Sequence, residues 1–215
     1  MRRIAKQVFG FGPRGSKLLT EEQFELIYSE VFPRVLKKFP SSFRDWLSKT
    51  VTGCCVINHF LSYWKPGVSD ICPSCKYPGE TIMHITRCPE VGRTTIFNEM
   101  VAELETWMIN NYTQYTVTAM ISTYLRNRGT ASMSSRLAPH SHFFALASTF
   151  DHLGWRCLLE GRIPTLLVQE IHNHLSNTPS RIGALDWAAG FVERLLRITH
   201  SGNTVTQWCT SRRMA

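Results

Sequence analysis

The amino-acid sequence predicts a mostly α-helical protein that carries one small irregular zinc-binding loop with the pattern C-x2-C-x8-H-x3-C. The chain has 215 residues, of which 43% are hydrophobic and 19% are charged, a composition typical of a globular domain. Apolar residues recur at helical spacing along most of the chain, whereas Pro, Gly and Cys concentrate in residues 66–90. No run of 18 apolar residues occurs, so the sequence predicts no membrane span.

Capping residues and apolar periodicity together predict where the helices lie. Thr20 followed by Gln23 has the capping-box pattern and predicts a helix that continues to Phe32 and stops, or restarts, near Pro33. Residues 117–125 are compatible with a helix or a strand, because Thr and Tyr favour strands. Further helices are predicted over residues 41–51, 56–64, 95–110, 142–159, 164–174 and 179–196.

Shifts in composition divide the chain into four predicted parts. Residues 1–19 form a flexible basic arm, and residues 20–125 form a helical lobe that contains the zinc module at 66–90. Residues 126–139 form a polar linker with Gly and several Ser, and residues 140–215 form a C-terminal helical lobe.

Positive charge is unevenly distributed along the chain, whose net charge is +8. Residues 1–49 have ten basic and five acidic side chains and a charge of +5. Residues 50–112 have four basic and six acidic side chains and a charge of −2, and residues 113–215 have ten basic and five acidic side chains and a charge of +5. This balance favours an anionic partner, and we expect RNA or DNA. The candidate phosphate contacts in the arm are Arg2, Arg3, Lys6, Arg14 and Lys17. The alternative is a solvated tail that binds nothing.

The strongest motif comprises Cys72, Cys75, His84 and Cys88. Three sulfurs and one imidazole form a closed tetrahedral site, which is typical of one structural zinc ion (Zn2+) and leaves no position for a reactive water. Gly79 fits the turn between the two halves, and Glu80 or Thr81 would begin a short helix that carries His84. The alternative is a set of buried free thiols beside an unrelated histidine.

The remaining cysteines, histidines and aromatic residues give weaker signals. Seven cysteines without a secretion signal favour reduced thiols, and hence a reducing intracellular compartment, the nucleus or the cytoplasm. Aromatic rings that flank the loop would stack on bases, or would instead pack over the metal site. These aromatic residues are Tyr63, Trp64 and Tyr77. A buried helix face, or alternatively a second metal site, would contain Cys54, Cys55 and His59. The histidines that lie on the surface, or alternatively form a four-histidine site, are His140, His142, His172 and His174.

Several motifs together resemble the zinc-binding region near the C-terminus of non-LTR retroelement reverse-transcriptase polyproteins. They are Phe43-Arg44-Asp45-Trp46, Cys72-Pro73-Ser74-Cys75, Glu80, His84, Cys88-Pro89 and Trp107-Met108, with weaker similarity at 153–162 and 186–189. The resemblance implies a zinc-binding tail of a longer element protein.

The acidic residues do not match those of a polymerase or nuclease. The chain has no Asp-Asp pair and only four Asp, namely Asp45, Asp70, Asp151 and Asp186, whereas two-metal nucleotidyl transfer needs paired carboxylates. The sequence therefore predicts a protein that is not an enzyme and has no small-molecule substrate or membrane partner. The predicted function is nucleic-acid binding with structural zinc, and the alternative is a zinc-ordered helical module that binds another protein.

Overall fold

The structure of the protein is a computed structural model, which describes residues 19–51, 57–180 and 182–211, with side chains as far as residue 200. Within these ranges the chain forms ten α-helices and a single 3-10 turn at Ser134–Arg136, without a β-strand. The predicted mostly helical fold is therefore confirmed. The helices are α1 (Glu21–Glu25), α2 (Val31–Leu36), α3 (Ser41–Val51), α4 (Asn58–Trp64), α5 (Ile82–Arg87), α6 (Val91–Asn110), α7 (Tyr115–Arg126), α8 (Phe144–Leu159), α9 (Thr165–Leu175) and α10 (Ala184–Ser211).

The first helix begins where the sequence predicts and ends earlier. The Thr20 hydroxyl accepts a hydrogen bond from the Gln23 backbone N–H at 3.1 Å, and the Gln23 side chain accepts one from the Thr20 N–H at 3.1 Å. The predicted continuation to Phe32 is wrong, because the chain leaves the helix after Glu25 and pairs with a distant segment. The Tyr28 N–H donates to the Ile163 carbonyl at 2.9 Å, and this non-local contact replaces one helical turn.

Helix α10 lies at the centre of the fold and packs against α2, α5, α6, α8 and α9. Trp187, Phe191 and Leu195 on α10 are fully buried, and the buried Trp187 ring donates its N–H to the Thr113 hydroxyl at 2.8 Å. Residues 117–125, ambiguous in the sequence, form α7, whose buried Val117, Ile121 and Leu125 follow helical spacing.

The segment 126–139 packs against the same core as the helices on either side of it. Met133 is buried in the main hydrophobic cluster, which draws residues from both predicted lobes. Asp151 holds this segment by accepting hydrogen bonds from the backbone N–H groups of Met133 and Ser134 at 2.7 and 2.8 Å, and from the Ser132 hydroxyl at 2.7 Å.

The five basic candidates in the arm, between Arg2 and Lys17, lie outside the described residues, as do Cys54 and Cys55. In the described part of the chain, every helix is too short or too polar to cross a membrane.

Candidate metal centre

Residues 66–90, which we call the knuckle, begin with a tight turn that brings two thiols together. The Lys76 N–H donates to the Cys72 carbonyl at 2.9 Å, and the Cys72 N–H donates to the Tyr77 carbonyl at 2.8 Å. Lys76 adopts a positive φ of 64° to close this turn, a conformation that is uncommon for residues other than glycine. The Lys76 ammonium donates to the Pro73 carbonyl at 2.9 Å and thereby ties the turn across itself.

Helix α5 supplies the other two candidate ligands. Thr81 caps this helix, because its hydroxyl accepts from the His84 N–H at 3.1 Å. Gly79, with a φ of 78°, makes the turn before the cap, as its position in the sequence indicates. His84 therefore lies in the first turn and Cys88 is the C-cap residue, so the two side chains are one helical turn apart on the same face.

The structure brings all four of these side chains into one cluster. The donor atoms of Cys72, Cys75, His84 and Cys88 lie within 4.8 Å of one another. The Sγ atoms of Cys72 and Cys88 are 3.9 Å apart, and Cys75 Sγ lies 3.2 Å from His84 Nε2. Zn–S bonds of about 2.3 Å in a tetrahedron place neighbouring sulfurs about 3.8 Å apart. The cluster therefore has the size and donor set to hold one metal ion.

The surroundings of the cluster set the protonation of its members. Burial raises the pKa of Cys88 to about 12 and also raises the pKa of Cys72. Burial acts in the same direction on Cys75, but hydrogen bonds from the Tyr77 backbone and the other two thiols outweigh it and lower its pKa. Burial, followed by the charge of Arg93, lowers the pKa of His84, so its imidazole is neutral at pH 7. A metal ion would have to displace the protons of the two buried thiols.

A buried ion pair lies beside the cluster. Glu80 is only 1% exposed, and its Oε2 accepts from the Asn58 N–H at 3.2 Å. Its Oε1 lies 3.9 Å from Nη2 of Arg93, which is 5% exposed. Sequence reasoning missed Arg93, because an arginine in the first turn of a helix ordinarily faces solvent.

Two arginines fasten the end of the knuckle to the segment that follows α7. Arg128 donates to the Cys88 carbonyl and, at 2.9 Å, to the Thr94 hydroxyl. In return, Arg87 donates to the backbone carbonyls of Arg128 and Gly129 at 2.9 and 3.1 Å. The main-chain position of Cys88 is thus fixed from outside the knuckle.

The weaker candidates from the sequence do not form a second metal cluster within the described ranges. His142 bonds to the Glu170 carboxylate at 2.9 Å, far along the chain from the knuckle. His59 packs its ring edge-on against Tyr63, with centroids 5.2 Å apart. Cys157 is buried against Ile27 and Leu153, as a core residue would be.

Two of the four aspartates have clear structural partners. Asp151 accepts the three hydrogen bonds that hold residues 132–134, and Asp186 pairs with Arg34. Each carboxylate is therefore engaged with protein groups at its own position in the fold.

Comparisons of the chain with models of protein families, with curated proteins and with solved structures found no match.

Proposed function

We propose that the protein binds nucleic acid and that one zinc ion, held by Cys72, Cys75, His84 and Cys88, orders the knuckle. The observation that carries the zinc assignment is the cluster of three sulfurs and one imidazole nitrogen within 4.8 Å. Thiolates and imidazole suit zinc and disfavour magnesium and calcium. Four protein ligands close the coordination sphere, so the ion has a structural role and does not activate water.

Exposed aromatic rings beside the cluster support a nucleic-acid partner. The Tyr77 ring stacks on the His84 imidazole, with centroids 4.9 Å apart and an interplanar angle of 7°, and Tyr77 is still 58% exposed. Tyr63 and Trp64, at the end of α4, are 68% and 79% exposed. Stacking on aromatic rings contributes about 1–3 kcal/mol per base to single-strand binding. Tyr77 is held in place by its partner, so little freedom is lost when a base stacks on it.

Cations outside the knuckle would supply the contacts to phosphate. The segment from α2 to the start of α3 carries exposed Lys37 and Arg44, neither of which has an ion pair among the described residues. Lys38 in the same segment pairs with Glu193 at 3.1 Å. The segment 50–112 itself has a charge of −2, so the affinity for phosphate must come from these surfaces and from the arm.

Metal content tests the zinc assignment. Elemental analysis of the purified chain should give one zinc per chain, and Cys88→Ser should reduce that ratio. Cys157→Ser is the matched control, because Cys157 is also a buried cysteine but lies outside the cluster. A wild-type chain that neither retains zinc nor takes it up would contradict the assignment.

Binding of fluorescent single-stranded RNA and DNA tests the partner. Tyr77→Ala should weaken binding about 5- to 150-fold, the equivalent of one stacked base. Tyr115→Ala is the control, since this ring is 82% exposed but lies on α7. Neutralising Arg2, Arg3, Lys6, Arg14 and Lys17 should reduce the slope of log affinity against log salt by roughly 0.7–0.9 for each phosphate that the arm no longer neutralises.

A protein partner is the second candidate, and another set of exposed apolar side chains favours it. Ile109, Tyr112 and Tyr115 are all exposed at the turn between α6 and α7, where a protein surface would bury them. Oligonucleotide binding that is absent, or that does not change with salt, would favour this alternative over nucleic acid.

A further inference from the structure

We infer that the protein has a small-molecule site, separate from the knuckle, that binds a monocarboxylate with a compact apolar body. The site is a cavity of about 210 Å³ between α7 and the segment 131–137. None of its lining residues lies in the knuckle. The inference therefore goes beyond the proposed function and does not depend on it.

The first observation is the size of the cavity. Protein interiors are close-packed, and voids larger than a water molecule are few. An apolar cavity of about 150 Å³ is enough to bind benzene, so this cavity has room for one ring or a short branched chain. It opens to solvent, and such a ligand can therefore enter without unfolding the helices around it.

The second observation is that the inner wall of the cavity is apolar and already formed. Met120 and Tyr124 of α7 and Met133 of the opposite segment line it, and all three are buried. Asp151 holds the segment in place through the backbone N–H groups of Met133 and Ser134. A pre-formed apolar wall with a few polar groups around it is typical of a small-molecule site.

The third observation is that polar side chains at the cavity have no partner within the protein. Thr123, Asn127 and Arg136 also line it, and none of their side chains is hydrogen-bonded or ion-paired among the described residues. Thr123 and Asn127 are half-buried, whereas Arg136 is exposed. A ligand with its apolar body against the methionines would keep its charged group near solvent, where a carboxylate can accept hydrogen bonds from Arg136 and Asn127.

The charges around the cavity decide which anion fits. Arg136 is the cation among the described lining residues, and no carboxylate is found with it there. One guanidinium balances one negative charge, so a carboxylate is matched, whereas a dianionic phosphate would leave a charge uncompensated beside an apolar wall. Asp151, which contacts the segment without lining the cavity, makes a second negative charge on the ligand still less favourable.

The test titrates benzoate into the full chain, isotope-labelled at the methionine methyl groups, and follows the NMR shifts. The signals of Met120 and Met133 should shift and saturate with a shared dissociation constant of about 1 mM or tighter. Met100 and Met108 of α6 do not line the cavity, so their signals should not move. Benzyl alcohol, which has the ring without the charge, should bind about 10-fold more weakly, the effect of one charge-assisted hydrogen bond. Acetate, which has the charge without the ring, should shift neither signal at the same concentration.

Two substitutions, each with a matched control, locate the ligand and its charge. Ala119→Leu fills the cavity from the middle of α7 with another good helix former and should abolish binding, whereas Ala102→Leu makes the same change at an exposed position of α6. Arg136→Met should weaken benzoate binding about 10-fold and leave the binding of benzyl alcohol unchanged. Arg126→Met removes an exposed cation of α7 outside the cavity and should change the affinity for benzoate less than about twofold.

Each opposite result contradicts a stated part of the inference. Benzoate binding that survives Ala119→Leu would put the ligand elsewhere and overturn the site. Equal affinity for benzoate and either control compound, or unchanged affinity in Arg136→Met, would overturn the assignment of an apolar carboxylate. Signals of Met120 and Met133 that stay in place, or that move no more than those of the other methionines, would overturn both. If Ala119→Leu does not fold, Arg136→Met still decides the matter, because position 136 is exposed.

Discussion

Removing the metal with a chelator should open the knuckle and leave the rest of the helices folded. The main hydrophobic cluster takes its buried members from outside residues 66–90 in the described chain. Within the knuckle, Met83 packs against the edge of this cluster, and Ile85 packs with Ile57 in a small separate one. These few apolar contacts supply only a few kcal/mol, which is too little to order some 25 residues against their conformational entropy. On the proposed function, the bound metal would provide the rest.

The expected magnitudes follow from the size of the knuckle and from binding linkage. Helix α5 has six residues, so its loss should reduce the α-helical signal by only roughly a twentieth. A free metal concentration about 1,000 times the dissociation constant stabilises the bound form by about 4.1 kcal/mol. The amide protons of α5 should therefore lose about 1,000-fold in protection when the metal is removed, while those of α10 should not change.

Hydrogen–deuterium exchange with peptide resolution, read with and without chelator, measures both effects in one sample. Circular dichroism of the same samples checks the helical signal. If the amide protons of α6 and α10 lose protection together with those of the knuckle, the prediction that the knuckle opens independently of the other helices is refuted. Unchanged protection across residues 72–88 would refute the metal dependence itself.

Three further predictions concern the body of the protein. Asp151→Ala should lower the free energy of unfolding by about 2 kcal/mol, since it leaves the N–H groups of residues 133 and 134 without their charged acceptor; urea unfolding with Asp151→Asn as control measures this. Gly190→Ala should lower the free energy of unfolding despite the better helix propensity of Ala, because the new Cβ would lie 2.6 Å from the Trp107 ring. In a variant with a smaller residue at position 107, Gly190→Ala should instead raise the free energy of unfolding. Burial and, to a smaller extent, the charge of Arg197 lower the pKa of His200. Because the imidazole therefore binds a proton more readily in the unfolded state, the free energy of unfolding should fall as pH drops below about 6.5. His200→Gln should flatten that part of the plot of stability against pH.

The helices and the ligand set were the most predictable features because both depend on local signals. The Thr20 cap, the helix over residues 41–51 and the helical spacing of α6 are properties of neighbouring residues, and the structure has each of them. Cys72 and Cys75 share one tight turn, and His84 and Cys88 share one helical turn, so sequence spacing alone was enough to relate the members of each pair.

The early end of α1 could not be predicted, because residues 163–165 compete with the helix for the backbone groups of 26–28. The helical state of residues 117–125 is a second case of the same kind. Thr and Tyr there favour a strand in isolation, but α7 buries one apolar face against the core formed with α6 and α10. Tertiary burial outweighed local propensity.

The sequence by itself determined the donor atoms of the candidate metal centre, because ligand chemistry is a property of residue type and short spacing. Only the tertiary structure decided the charges around it. Glu80 and Arg93 are thirteen positions apart, and nothing in their immediate neighbours marks either as buried. They meet at 3.9 Å because α4, the knuckle and α6 close around them. Electrostatic effects in a protein interior depend on distance and on exclusion of water, and neither exists until the chain has folded.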